Sequence, residues 1–135
     1  MSNLDRDQHE LELARAFLTP GGRDRFLAVR SRDDRRGKFT GSLAHSPKLN
    51  WRFGARVPPN AFAPDIAKLL RARGAPETCW AVSEWKLLDG REMSLDEALQ
   101  QVVGSGMGTL LSCIPGRLAY YESEEPGERW IFQRS

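Results

Sequence analysis

Residues 109–133 read TLLSCIPGRLAYYESEEPGERWIFQ, and the fold follows from them. Three runs rich in β-branched and aromatic residues, TLLSCI, RLAYYE and RWIFQ, are separated by Pro115-Gly116 and by the polar SEEPGE segment. They predict three successive strands joined by short reversals, a meander. Pro-Gly favours a type II turn, whose twist suits a two-residue hairpin less well than the primed types, so a slightly longer connection is expected.

Immediately before the meander, Ser94 to Glu97 reads S-x-x-E, a capping box ahead of Leu95, Leu99, Val102 and Val103. This predicts a helix over residues 95–103, closed by Gly104. Further back, TCWAVSEW places Cys79, Ala81 and Ser83 on one side of a strand and Trp80 and Val82 on the other, followed by an Asp89-Gly90 turn. If that strand and residues 109–114 are parallel, the helix between them forms a right-handed crossover. A second helix is signalled over residues 64–73 by Pro64 at its start, Ile66, Leu69 and Leu70 on one face, Gly74 just past its end and Pro76 beyond.

The first half has a different texture. Asn3 can cap a helix reaching Leu18, with Leu4, Leu11, Ala14 and Leu18 on one stripe, Leu13 and Phe17 beside it, and Pro20-Gly21-Gly22 as its end. Residues 23–45 read as two helical pieces, or one long helix weakened at Gly37 and Gly41. In LNWRFGARV, Leu49, Trp51 and Phe53 alternate with Asn50, Arg52 and Gly54, which predicts a half-buried strand or extended arm. The expected architecture is α+β: helices mainly in the N-terminal half, and a mostly antiparallel sheet of about four strands in the C-terminal half with one strand-helix-strand crossover. At 135 residues the chain fits one domain, residues 1–135, able to bury about two thirds of its unfolded surface.

Composition narrows the function classes. With 40% hydrophobic and 28% charged residues, disorder and a membrane protein are both excluded. The longest uncharged run, 98–116, is interrupted by Gln100, Gln101, Ser105, Thr109 and glycines, so it is no membrane span. The N-terminus lacks the apolar core of a signal peptide, and with only Cys79 and Cys113 the expectation is a cytoplasmic protein with two free, buried thiols.

The net charge of +2 conceals a split: residues 1–22 carry −2, residues 23–74 carry +9, and residues 75–135 carry −5. Such a split is used either for attraction between regions of one fold or for steering a charged partner.

No spacing of His or Cys suits a metal, and no cofactor is implied. The glycines of 104–109 follow a helix and enter a strand, the reverse of a dinucleotide-binding loop. Asp89, Glu92, Asp96 and Glu97 cluster around a turn and helix start without the order of a calcium loop.

The constellation closest to a binding site is Arg35, Arg36, Lys38, Trp51, Arg52, Phe53 and Arg56, where cations interleave with aromatic rings. The leading expectation is a non-enzymatic cytosolic interaction or regulatory domain that binds another protein through its charge-segregated surface. The alternatives are nucleic-acid binding by the basic aromatic segment 23–56, with rings stacking on bases and arginines on phosphates, and a small enzyme using Cys113 as nucleophile with His45 as its base.

Overall fold

The computed structural model describes residues 3–45, 47–125 and 128–134, with the side chains of residues 3–5 and 33 outside the description. The cap expected at Asn3 and the stripe position at Leu4 therefore lie outside the described side chains. Among the described residues five α-helices, α1 (Asn3–Phe17), α2 (Pro20–Val29), α3 (Asp33–Ser42), α4 (Ala63–Ala72) and α5 (Leu95–Val102), accompany six strands. The strands are β1 (Gly54–Arg56), β2 (Thr78–Ser83), β3 (Arg91–Ser94), β4 (Thr109–Ile114), β5 (Leu118–Glu122) and β6 (Arg129–Gln133). They form one sheet in the order β1-β6-β5-β4-β2-β3 with every neighbouring pair antiparallel.

The α+β class holds, and the meander β4-β5-β6 lies at the positions its alternation requires. Both faces of the sheet are covered, which is why TLLSCI and LAYYE read as nearly continuous apolar runs. Cys79, Ala81, Leu111, Cys113, Tyr120 and Ile131 pack with α4 and α5. Trp80, Val82, Leu110, Ala119, Tyr121 and Phe132 pack with α1 to α3. The β4–β5 connection has Gly116 at φ 71°, Arg117 donating to the Ile114 carbonyl at 2.9 Å, and a bulge between Ser112 and Ile114. The bulge supplies the extra length that the Pro-Gly turn calls for.

Three expectations are corrected. The sheet has six strands rather than about four, because two short edge strands, β1 and β3, flank the longer ones. The segment 78–83 is antiparallel to β4; the crossover instead runs β3-α5-β4, two strands parallel to each other with β2 between them. Trp51–Phe53 form a 3-10 turn, and only Gly54–Arg56 is strand.

Local chemistry explains the helices. The Thr19 hydroxyl accepts the amide of Gly22 at 3.3 Å and Pro20 takes the first helical turn, so the residues that end α1 also begin α2. Residues 23–45 divide into two helices at Arg30–Arg32, whereas Gly37 and Gly41 stay inside α3. The hydroxyl of Ser94 accepts the amide of Glu97 at 3.1 Å, half of the expected capping box; no reciprocal bond from Glu97 is present among the described residues. Leu95, Ala98, Leu99 and Val102 are buried along α5.

Candidate functional site

The segment after α3 is held by backbone. The Leu43 carbonyl accepts the Tyr121 phenol, the Ala44 carbonyl accepts the amide of Glu124 at 3.0 Å, and both residues lie against Gly108, where a Cβ would stand 2.3 Å from the Ala44 nitrogen. Burial pushes the Tyr121 hydroxyl up, with nearby Glu124 and Glu84 adding, so it remains a donor. The chain then runs along the α1–α2 junction, where Thr19 donates to the Lys48 carbonyl at 2.8 Å and Asn50 to the Phe17 carbonyl at 2.7 Å. It delivers Trp51 onto the β5–β6 end of the sheet. Ring centroids lie 4.9 Å from Trp130, 5.7 Å from Phe132 and 6.0 Å from Tyr121. Despite this packing, Trp51 is 42% exposed.

Gly54 follows because the rings need the space: a Cβ there would come within 3.1 Å of both Phe132 and Trp130. Arg56, on β1, pairs with Glu128 and places its guanidinium 5.5 Å from the Trp130 centroid. The Arg56 hydrogen bond holds the Glu128 carboxyl below the usual range. Arg52 and Arg134 lie 5.2 and 4.3 Å from the Phe53 centroid. Beside Trp51 and Trp130 opens a cleft of about 390 Å³, bordered by His45, Glu124, Glu125 and Glu128.

The seven residues of the candidate constellation do not share one place. Trp51, Arg52, Phe53 and Arg56 surround the β1 edge, as above. Arg35 and Lys38 are exposed on α3, which packs on β2. β2 is three places from β6 in the strand order, roughly 14 Å at ordinary strand spacing. Arg36 turns inward and is buried: its guanidinium meets Glu10 at 2.8 and 2.9 Å and Asp89 at 2.7 and 2.9 Å.

That inward turn exposes what the sequence reading missed. Glu10 is 0% exposed and occupies the α1 stripe at the spacing of Leu13, Ala14 and Phe17. Its carboxylate accepts from Arg36, from Arg30 at 3.1 Å and from the Trp80 indole at 2.9 Å. Burial alone would raise its pKa, but the hydrogen bonds and charge of Arg36, with Trp80 and Arg30, hold it below the ordinary value. Burial works against the charged Arg36 guanidinium too, and Asp89 and Glu10 overcome it. An acidic residue i−3 and i−4 to buried apolar residues was the available signal.

Other candidates find internal explanations. The 104–109 loop points its amides at the protein's own carboxylates: Gly104 donates to Glu122 at 2.9 Å and Gly108 to Glu84 at 2.6 Å. Of the four clustered acids, Asp89 is paired with Arg36 and Asp96 with Arg71, and among the described residues no group of three or more His, Cys, Asp or Glu is placed to hold a metal. Both cysteines are free and buried. Burial drives the Cys79 thiol up to about 12 and raises that of Cys113 as well. Cys113 packs on the α4/α5 side, while His45 is exposed with Nδ1 3.9 Å from Glu124, so the two are not brought together. Among the described residues, no helix is long and apolar enough to cross a membrane.

Compared with family models, curated proteins and solved structures, the chain finds no match.

Proposed function

We propose that the chain is a non-enzymatic interaction domain that binds another protein, and that the contact is made at the β1 edge around Trp51. One observation carries this: a large indole stays 42% exposed on a platform of three other aromatic rings, with Arg52 and Arg56 beside it. Trp, Tyr and Arg are the side chains that supply most of the binding energy at protein interfaces. β1 adds a second support, since among the described residues it stands at the sheet edge with β6 as its neighbour, and the outer side of an edge strand is a template for an added strand.

The charge split serves both of its uses. Arg30, Arg36, Arg56 and Arg71 bind acidic residues of the flanking segments and so help close the fold. Arg25, Arg35, Lys38 and Lys48 are exposed with no acidic partner among the described residues, and they are free to steer an encounter. Two free thiols suit the cytoplasm as the place of action.

Nucleic-acid binding by segment 23–56 is less well supported. Phe53 lies under two arginines, Arg56 is engaged with Glu128, and the carboxylates beside Trp51 repel phosphate. Catalysis by Cys113 lacks both an accessible thiol and an adjacent base.

The test places a photo-crosslinking amino acid at Arg52 and, as control, at Lys68 on α4. Position 52 should capture a protein that position 68 does not, and Trp51→Ala should weaken its binding about 30-fold or more, as loss of an interface hot spot does. Equal capture at the two positions would remove the reading.

A further inference from the structure

The cleft beside Trp51 says which chemistry the partner brings. Resting on the protein-binding reading, we propose that this cleft receives an arginine side chain of the partner.

The argument begins with charge. Glu124, Glu125 and Glu128 border the cleft, and Arg56 neutralises only Glu128. Glu125 has no side-chain partner for its carboxylate among the described residues, and the nearest basic group to Glu124 is the His45 imidazole at 3.9 Å. The cleft is therefore acidic inside a chain that is basic overall, and a cation is the group that relieves it.

Its walls then choose among cations. Trp51 and Trp130 present indole surface, which attracts a cation through the ring quadrupole; a planar guanidinium stacks on such a ring while donating to carboxylates in fixed directions, as an ammonium cannot. The chain itself displays this recognition where Arg56 lies over Trp130 and pairs with Glu128, and again where Arg36 lies over Phe26 and pairs with Glu10 and Asp89. Volume agrees: about 390 Å³ is near the lower end of the roughly 300–1,000 Å³ of small-molecule pockets, the size for one long side chain rather than a cofactor. Phosphates and acidic peptides are excluded by the same carboxylates.

The experiment follows the indole N–H resonances of the full chain by NMR at low salt while three tripeptides are titrated: acetyl-Gly-Arg-Gly-amide, its lysine analogue and its citrulline analogue, which keeps the shape without the charge. The arginine peptide should move the Trp51 and Trp130 signals saturably, the lysine peptide more weakly, and the citrulline peptide not at all. Trp51→Ala should abolish binding. Glu125→Gln, a surface change that leaves the fold intact, should weaken it by up to about fivefold, the range of an exposed ion pair.

No saturable shift, or equal shifts from arginine and citrulline, would overturn the proposal. A short single-stranded oligonucleotide that shifts the same two indoles would overturn it in favour of nucleic acid. The outcomes also separate the two proposals. Crosslinking at position 52 with no peptide response removes the arginine assignment alone, whereas a peptide response with no crosslinked partner keeps the cation site and removes the protein-binding reading.

Discussion

The two helical layers are fastened to the same sheet by different means. On the α4/α5 side the fully buried helical residues are all apolar, Ile66, Ala67 and Leu70 on one helix and Leu95, Ala98, Leu99 and Val102 on the other. On the α1–α3 side, α1 turns Glu10 into the core and α3 answers with Arg36, which also reaches Asp89 in the β2–β3 loop. Apolar burial is non-directional and stabilises any close packing. A bidentate carboxylate–guanidinium pair is directional and costs heavily when half of it is missing. Both layers bury apolar area and both sides hold a buried ion pair, but the pairs join different things. Glu122 and Arg129 link neighbouring strands on the α4/α5 side, whereas Glu10, Arg36 and Asp89 tie two helices and a sheet loop together beside Phe17, Phe26 and Phe39.

The sharpest way to break this contrast is Arg36→Leu. It leaves a buried carboxylate short of its main partner and should cost roughly 3–5 kcal/mol in urea denaturation. Glu10→Leu combined with Arg36→Leu should cost less than the sum of the two single changes, since the pair is removed together. A strictly additive result would mean the pair does not couple α1 to α3. On the opposite face, Leu99→Ala should cost roughly 2–5 kcal/mol through lost burial and the cavity left behind, with no such coupling to Glu10.

Acid separates the layers differently. Because the Glu10 carboxyl is held below its ordinary 4.5 in the fold, its contribution is fully present above that pH and is lost as pH falls through the folded value. The stability gap between the natural protein and Glu10→Gln should therefore narrow on acidification below pH 4.5, with Trp80 fluorescence, next to Glu10, changing before amide exchange in α5. A gap that stays constant down to acid unfolding would contradict the assignment. The smallest effect belongs to the α4/α5 side: Ser94→Ala removes one capping bond and should cost about 1 kcal/mol, measurable as a modest drop in denaturation midpoint.

The same contrast explains what the sequence disclosed. α4, α5 and the meander obey simple rules, period, cap and turn, and each was visible within ten residues of itself. β1 was obscured because Leu49, Trp51 and Phe53 alternate by coincidence: Leu49 bridges to Leu18 and Trp51–Phe53 form a tight turn, leaving a three-residue strand too short to show a period. β3 was hidden by having one buried residue, Met93, among polar ones. Glu10 drew no attention as a buried charge because its partners Arg30, Arg36 and Trp80 lie 20, 26 and 70 residues away. At the candidate site, Trp51, Arg52, Phe53 and Arg56 were recognisable as aromatic and basic. Trp130 and Glu125, which complete the cleft, come from the far end of the chain, and no local pattern joins them to Trp51.

The order of strands in the sheet also sets a timetable for synthesis. α1 to α3 are made before the apolar platform they cover: Trp80 and Val82 come with β2, but Leu110, Ala119, Tyr121 and Phe132 belong to strands made more than ninety residues after α1. At about 5–20 residues per second, the ribosome holds back that platform for several seconds after the three helices have been made. During that interval Phe26 and Phe39 have each other, but Phe17 has no Phe132 to pack against, and Trp51 has no Trp130 to rest on. β1 joins the sheet only when β6 arrives between it and β5, so one strand brings the sheet edge and the cleft beside Trp51 into being together.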